Sequence, residues 1–154
     1  LCMGLIDVNG VGNLNQKHTN GFVDRLLAGV GQQLTVSVRK SESDARCFRV
    51  SGQTFALLLR DVDGQAAIVM MDRFRQAITD STFLLDGQKV KTKVNTATLE
   101  VGPDESVLDV LQRVEMTMTH AKEVGPDQNA IMMNGMVTVV EAQRENPTEN
   151  LVQL

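Results

Sequence analysis

The sequence predicts an α+β domain with a central, mostly antiparallel five-stranded sheet, flanking helices and an extra β-hairpin at one edge. Two observations lead to this class. Three amphipathic helical patterns alternate with short apolar runs, in the order strand–helix–strand–strand–helix–strand–strand–helix–strand–strand. Several of these runs are joined in pairs by turn signals that contain glycine, which is typical of hairpins and therefore of antiparallel pairing.

The first half of the chain supplies one strand, one long helix and one hairpin. A near-continuous apolar run over residues 1–8 predicts a buried strand. Apolar residues at helical spacing over residues 22–38 predict an amphipathic helix. Residues 47–50 and 55–59 predict two short strands, and the connection between them, residues 51–54, contains the glycine of a hairpin loop.

The second half alternates helices with pairs of strands in the same way. The predicted elements are a helix over residues 67–78, strands over 82–85 and 90–101, a helix over 107–121, and strands over 131–133 and 136–140. Asp63 is placed to cap the first of these helices, and Gly125-Pro126 to end the second. Asn134-Gly135 is a strong signal for a tight hairpin between the last two strands. We expect one domain over residues 1–142 and a polar, frayed tail over 143–154.

Composition limits the classes of protein and partner. The 154 residues are 42% hydrophobic and 22% charged, as in a soluble globular domain, and no run approaches the roughly 18 apolar residues of a membrane span. The net charge of -4 argues against DNA or RNA as the main partner, because phosphate binding needs clustered cations. Cys2 and Cys47 fit no metal or redox spacing, which predicts two buried thiols in a reducing compartment. Lys89, Lys91 and Lys93 alternate along one strand and indicate a solvated face or a protected sheet edge.

One group of residues can carry chemistry. Asp7 lies at the end of the first strand, Asn15 and Asp24 follow it, and Gly52 lies in the first hairpin loop. A carboxylate at a strand end beside a glycine-containing loop can hold a nucleoside triphosphate and its metal ion. The carboxylate binds the cation, and the glycine lets phosphate approach the backbone.

In this order of residues the chain resembles the GGDEF family, the diguanylate cyclases, over about residues 1–134. Members of that family join two GTP molecules into cyclic di-GMP across a dimer of two such domains. The segments that carry the resemblance are Leu5-Ile6-Asp7-Val8-Asn9 for the first strand with its Asp-x-Asp, residues 49–59 for the signature hairpin, and Ala121-Lys122-Glu123-Val124-Gly125 for the late Ala-Lys-x-x-Gly segment. Asn15 and Asp24 keep the family's spacing from Asp7. The resemblance implies the nucleotidyl-cyclase-like variant of the α+β fold.

The chain departs from the family where the chemistry takes place. The signature Gly-Gly-Asp/Glu-Glu-Phe is here Ser51-Gly52-Gln53-Thr54-Phe55, so both of its acidic residues are lost. The second acid of the Asp-x-Asp is Asn9, and Pro126 stands where the family has a basic residue four positions after Lys122. Hard divalent cations prefer charged oxygen ligands. We therefore interpret the signature loop as vestigial, with no catalytic residue intact.

The resemblance still assigns residues to binding. It implies nucleotide-binding roles for Asn15, Asp24, Gly52 and Lys122, and a vestigial metal position at Asp7 with the Val8 carbonyl. Taken alone, the same residues are also explained without a ligand. Asn15 is then a turn residue, Asp24 an acid near a helix N-terminus, and Lys122 a cation near a helix C-terminus.

The function expected from this combination is a catalytically degenerate GGDEF domain. It would serve as a regulatory, GTP-binding or dimerisation module in bacterial cyclic di-GMP signalling. Two alternatives stay open: an active diguanylate cyclase with an atypical metal site, and a purely structural dimerisation domain. The expected partners are GTP, other domains of a larger signalling protein and a second copy of the chain, without nucleic acid or membrane contact. Mg²⁺ is expected only with bound nucleotide. The expected location is cytoplasmic, as the cytosolic part of a larger protein that can be membrane-linked.

Overall fold

The computed structural model describes residues 1–18, 20–141 and 150–153, which form four helices and nine strands in two sheets. In chain order the elements are β1 (Cys2–Val8), α1 (Val11–Lys17), α2 (Asn20–Lys40), β2 (Ala45–Ser51), β3 (Thr54–Leu59), α3 (Gly64–Thr79), β4 (Ser81–Leu85), β5 (Gln88–Val90), β6 (Val94–Glu100), α4 (Val107–Val124), β7 (Asn129–Met133), β8 (Met136–Val140) and β9 (Asn150–Gln153). The predicted α+β class is confirmed. No helix among the described residues is long and apolar enough to cross a membrane.

The central sheet has the strand order β2-β3-β1-β6-β7-β8, so it has six strands rather than the predicted five. All neighbouring strands in it are antiparallel except β6 and β7, which run parallel because α4 connects them. The predicted long strand over residues 90–101 is in fact two strands. β5 pairs with β4 in a second sheet, and β6 pairs with β1 in the central one. The alternating sequence pattern continues across this break and so hides the change of partner.

The second sheet has the order β5-β4-β9. Its strand β9 runs parallel to β4, with Val152 opposite Phe83. Residues 150–153 were expected to be part of a frayed tail, and that expectation is wrong for them. An apolar pair as short as Leu151-Val152 gives no periodic signal, and only its tertiary partner makes it a strand. The rest of the expected tail, residues 143–149 and 154, lies outside the described residues.

The central sheet buries apolar side chains on both faces. On one face, α2 and α3 cover a cluster that includes Leu26, Leu57 and Phe74. On the other face, α4 covers a smaller cluster that includes Leu99 and Val114. The strands are thus packed on both faces, and their ends can position a site.

Local signals set the ends of several elements as predicted. The Asp63 carboxylate accepts the Ala66 N–H at 2.8 Å and caps α3, and Gly125 follows the last residue of α4. The Asn134-Gly135 turn has positive φ at both residues, 51° and 76°, as a tight hairpin of this type requires.

One expectation about the thiols is wrong. Cys2 is buried, but Cys47 is only half-buried because it lies on β2, which is an edge strand of the central sheet.

Candidate functional site

The candidate site lies at the end of the central sheet where β1 leaves it. Asp7 is opposite Thr54 in the antiparallel register of β1 and β3, and the Val8 N–H donates to the Gln53 carbonyl at 3.0 Å. The β2–β3 hairpin is thus tied to the end of β1 by main-chain hydrogen bonds. This pairing brings the strand-end carboxylate and the hairpin loop together, as the sequence predicted.

Both carboxylate oxygens of Asp7 are engaged by other side chains. Oδ2 forms an ion pair with the Lys122 ammonium, and Oδ1 accepts a hydrogen bond from the Thr54 hydroxyl at 3.0 Å. The Asp7 side chain is 4% exposed, whereas that of Lys122 is 48% exposed. A buried carboxylate is costly unless it is paired and hydrogen-bonded, and these two partners supply both requirements.

Lys122 reaches Asp7 because α4 packs across the same face of the sheet. Its neighbour Ala121 and the preceding Met118 are buried against the strands, which places the last turn of the helix over the end of β1. Lys122 also lies in the last helical turn, where a cation is favourable beside the helix C-terminus. The Lys122 ammonium is therefore stabilised both by the Asp7 carboxylate and by the C-terminus of α4.

The tip of the hairpin is held by an arginine that the sequence analysis did not single out as a site residue. Arg49 donates from Nε and Nη2 to the Gly52 carbonyl, at 3.1 and 2.8 Å. Gly52 has open space where a Cβ would stand. Phe55 is a core residue. It is buried, and its ring packs so closely on Gly31 of α2 that a Cβ atom added to this glycine would lie 3.2 Å from it. A cation three residues before the loop glycine was the available signal for the Arg49 contact.

The side chains present do not fit a magnesium site. Mg²⁺ takes oxygen ligands in octahedral geometry and is held in proteins mainly through carboxylates. Asp7 already carries the Lys122 ammonium on one oxygen, while Gln53 and Thr54 offer only neutral oxygens. The Asn9 side-chain oxygen is used elsewhere, since it accepts the backbone N–H of Asp127 at 3.1 Å. Within the described part of the chain, no three His, Cys, Asp or Glu side chains group as metal ligands.

A cavity of about 490 Å³, which we call the Asp7 cavity, opens between β1, the hairpin and α4. Its lining residues are Met3, Leu5, Asp7, Val50, Ser51, Thr54, Leu111, Glu115, Met118, Thr119 and Lys122. Two carboxylates and one ammonium are the charged groups of this lining. The cavity therefore has no excess of positive charge with which to attract a triphosphate.

Not all of the candidate nucleotide-binding residues come together. Asn15 and Asp24 are exposed on α1 and α2, and neither lines the Asp7 cavity; Gly52 does not line it either. Between these two helices the His18 ring stacks on Phe22, with ring centroids 4.0 Å apart. Lys122 is thus the one residue of the candidate set that contacts Asp7.

Comparisons with known proteins identify the family model and the fold that the chain matches. The sequence matches the family model described as "Diguanylate cyclase, GGDEF domain" over residues 2–128, whereas no curated protein matches it significantly. The fold is similar to the diguanylate cyclase SiaD of Pseudomonas aeruginosa, solved with its activator SiaC, at a TM-score of 0.79 and 18% identity over 85% of this chain and 49% of that one. It is similar to the active GGEEF domain of a Vibrio cholerae diguanylate cyclase, with a TM-score of 0.74 and 16% identity over 86% and 83% of the two chains.

A third solved structure is the GGDEF domain of DgcB from Caulobacter crescentus, in complex with c-di-GMP. Its TM-score is 0.70 at 13% identity, over 99% of this chain and 76% of that one. At these identities the likeness establishes a shared fold, and chemistry must be argued from the residues of the site itself.

Proposed function

This chain belongs to the GGDEF domain family, and from that premise we propose that it is a catalytically inactive member that acts as a regulatory module in bacterial cyclic di-GMP signalling. One observation carries the proposal: the buried Asp7 carboxylate is closed by Lys122 on one oxygen and by Thr54 on the other. The family's own chemistry depends on a metal ion at this place. Here a lysine ammonium supplies the positive charge instead.

The loss of acidic groups supports inactivity. Attack of a ribose hydroxyl on a phosphate needs cations that neutralise the charge developing on the phosphoryl oxygens. Removing one such stabilising group typically raises the barrier by about 3–4 kcal/mol. Gln53, Thr54 and Asn9 each replace an acid of the family pattern, and their combined effect takes the reaction below useful rates.

The ion pair between Asp7 and Lys122 also affects how tightly a nucleotide can bind. The proposed nucleotide-binding residues remain Asn15, Asp24, Gly52 and Lys122, with Asp7 and the Val8 carbonyl as the vestigial metal position. The Lys122 ammonium has three donors and is half exposed, so it can reach a phosphate while it is paired with Asp7, but the Asp7 carboxylate offsets its positive charge. A triphosphate therefore competes with a buried carboxylate, so GTP should bind weakly and should need Mg²⁺ less than in a metal-dependent domain.

The proposed regulatory role acts through contacts with protein. A domain of this kind would pass its state to other domains of a larger cytoplasmic signalling protein or to a second copy of itself. The Pseudomonas aeruginosa relative solved with an activator supports this idea by analogy.

The first test is a synthesis assay. The purified chain is incubated with GTP and either Mg²⁺ or Mn²⁺, and cyclic di-GMP is measured by chromatography beside an active GGEEF domain. We expect no product. We expect the double variant Gln53→Glu/Thr54→Glu to stay inactive as well, because Asn9 and Pro126 still lack the family's charges. A clear product peak from the unchanged chain would overturn the proposal.

The second test uses the sign of one substitution. We expect Asp7→Asn to strengthen GTP binding in a calorimetric titration, because it removes the charge that competes for Lys122. A metal-dependent site predicts the opposite, since the same change removes its metal ligand. Asp24→Ala reports separately on recognition of the base. Weaker binding by Asp7→Asn in Mg²⁺, but not in EDTA, would show that a metal site is intact.

A further inference from the structure

A second cavity, which we call the lysine cavity, has a volume of about 520 Å³ and shares no lining residue with the Asp7 cavity. Its lining residues are Asn9, Gly10, Asn13, Leu14, Lys17, Thr79, Lys91, Thr92, Lys93 and Pro126. These residues come from the β1–α1 turn, α1, the end of α3, the β5–β6 connection and the loop after α4. Five separate segments thus converge on one concave surface, which a single mobile loop could not create.

The charge of the lysine cavity has one sign. Lys17, Lys91 and Lys93 are its charged lining residues, and no carboxylate is among the described residues that line it. Neither Lys17 nor Lys93 has an ion-pair partner in the described parts of the chain. This concentration of cations occurs in a chain whose net charge is -4. A cleft lined by one sign of charge focuses the field and attracts ligands of the opposite sign.

Two acids are adjacent in sequence to lining residues, Asp80 and Asp127, and neither lines the cavity. Asp127 follows Pro126, and its carboxylate accepts from Arg75 at 2.5 Å and from the Thr79 hydroxyl at 3.2 Å. Arg75 is buried and pairs with this carboxylate, and it shares its charge between Asp127 and Asp72. Lys17 and Lys93, which have no ion-pair partner in the described parts of the chain, are left to act on solvent and on any bound ligand.

The lysine cavity can also hold the apolar part of a ligand, such as a ring. Leu14 and Pro126 supply hydrocarbon surface, and Asn13 adds an amide at the wall. The volume lies within the roughly 300–1,000 Å³ that is usual for sites of small organic ligands. Lysine ammonium groups bind phosphate as compact point charges without a metal. The combination fits a ring or similar apolar body that carries a phosphate towards the lysines.

We propose that the lysine cavity binds a small phosphorylated organic anion of mononucleotide size, held by Lys17 and Lys93 without a metal ion. Asn15, Asp24 and Lys122 do not line this cavity, although Asn9 and Pro126, which stand at two positions of the family pattern, do. The cavity also changes the interpretation of the alternating lysines. Lys89 is exposed on β5, as expected of a solvated face, whereas Lys91 and Lys93 form part of a cavity wall.

The test is a calorimetric titration of the whole chain in EDTA at low salt, with AMP as one probe and inorganic pyrophosphate as the other. AMP tests the complete ligand class, and pyrophosphate tests the charge alone. We expect AMP to bind more tightly than pyrophosphate. Each of Lys17→Ala and Lys93→Ala should weaken AMP binding by roughly tenfold, which corresponds to one lost charged contact. Added salt should weaken it further.

Three variants act as controls. Lys89→Ala removes the same charge from the same surface outside the cavity, and Asp24→Ala and Lys122→Ala alter the family's candidate residues. Lys89→Ala should leave AMP binding unchanged, whereas the other two variants test whether AMP occupies the family's candidate site instead. Since Lys17, Lys89 and Lys93 are exposed, their removal should not unfold the chain, and a thermal melt checks this.

The outcomes separate the proposal from its rivals. Loss of AMP binding in Lys122→Ala would move the ligand to the Asp7 cavity and overturn the proposal. An equal loss in Lys89→Ala would mean diffuse attraction by surface charge, and it would also overturn the proposal. The absence of binding by either probe would do the same. None of these results affects the synthesis assay, so the failure of this inference is distinguishable from failure of the proposed function.

Discussion

Thr54 and Lys122 change what the carboxylate of Asp7 can do. An acid at the position of Thr54 would lie opposite Asp7 in the strand register, and two like charges there would need a cation between them. The threonine hydroxyl instead donates to that carboxylate and removes the repulsion. With threonine at position 54, the Asp7 carboxylate needs no metal cation, because the Thr54 hydroxyl and the Lys122 ammonium pair with its two oxygens.

The Cys47 thiol gives a residue-scale prediction about pH. Burial raises the pKa of Cys47 from 9.0 to about 11. In the folded protein the thiolate, which is the reactive form, should therefore be scarce at pH 8. We expect iodoacetamide to alkylate native Cys47 slowly at pH 8, and the rate to rise until about pH 11. Mass spectrometry of the Cys47 peptide measures this, with urea-unfolded chain as the control.

The same shift has a consequence for stability. Because the pKa of Cys47 is higher in the folded state, its contribution to the free energy of unfolding is complete below pH 9 and is lost as the pH rises towards 11. In the Cys47→Ala variant, the free energy of unfolding should therefore fall less between pH 9 and pH 11 than in the unchanged chain. Alkylation of the native Cys47 thiol at pH 8 as fast as that of the unfolded chain would contradict the prediction.

The sequence predicted single site residues better than the contacts between them. Asp7 and Gly52 stand at a strand end and in a hairpin loop as expected, because those signals are local. The ion pair between Asp7 and Lys122 depends on how α4 docks on the sheet, and no periodic pattern carries that information. Arg49 was missed as a contact for the same reason, since its hydrogen bonds follow from the fold of the hairpin tip.

At the scale of elements, Arg75 ties α3 to the loop that follows α4. Its side chain is 3% exposed, and it donates to Asp72 from Nε and Nη2 at 2.9 and 2.8 Å. Nη1 donates to Asp127 at 2.5 Å, and the N–H of Asp127 in turn donates to Asn9 at the end of β1. The loop wall of the lysine cavity therefore rests on a buried arginine.

We predict that Arg75→Met lowers the free energy of unfolding by about 2–3 kcal/mol, because it leaves the carboxylates of Asp72 and Asp127 without their cation. The figure is below that of a fully buried pair, since both carboxylates retain some contact with water. Urea denaturation monitored by circular dichroism measures the change. Arg73→Met is the matched control on the same helix, where the side chain is exposed and the loss should stay under about 0.5 kcal/mol. Equal losses would show that Arg75 does not anchor the loop.

The elements that the sequence located well have local start and stop signals. The Asp63 cap and the Asn134-Gly135 turn are each decided within a few residues, so the predicted and observed bounds agree closely there. The strands around residues 88–100 were misjudged because alternation identifies a strand but not its partner. Only the pairing of β6 with β1 separates β6 from β5.

At the scale of the whole molecule, the order of the central sheet brings distant segments to one end. β1 lies between β3 and β6, so the hairpin before β3 and the connection before β6 flank the end of β1. The Asp7 cavity opens beside the hairpin, and the lysine cavity opens beside the connection before β6. The two cavities have no lining residue in common, so a change in the residues of one leaves the lining of the other intact.

In the second sheet, β9 pairs the last described residues of the chain with β4, a strand from the middle of the sequence. Val152 lies opposite Phe83, is partly buried and packs on the main core, whereas Leu151 on the same strand is 62% exposed. We expect Val152→Ser to lower the free energy of unfolding by about 1–2 kcal/mol, from the apolar surface that it buries. Leu151→Ser should change the free energy by less than about 0.5 kcal/mol. Urea denaturation of both variants at equal protein concentration tests this, and equal effects would mean that β9 is not part of the cooperative fold. A selective loss in Val152→Ser would mean that the strand, although too short for the sequence to reveal, holds the second sheet against the core.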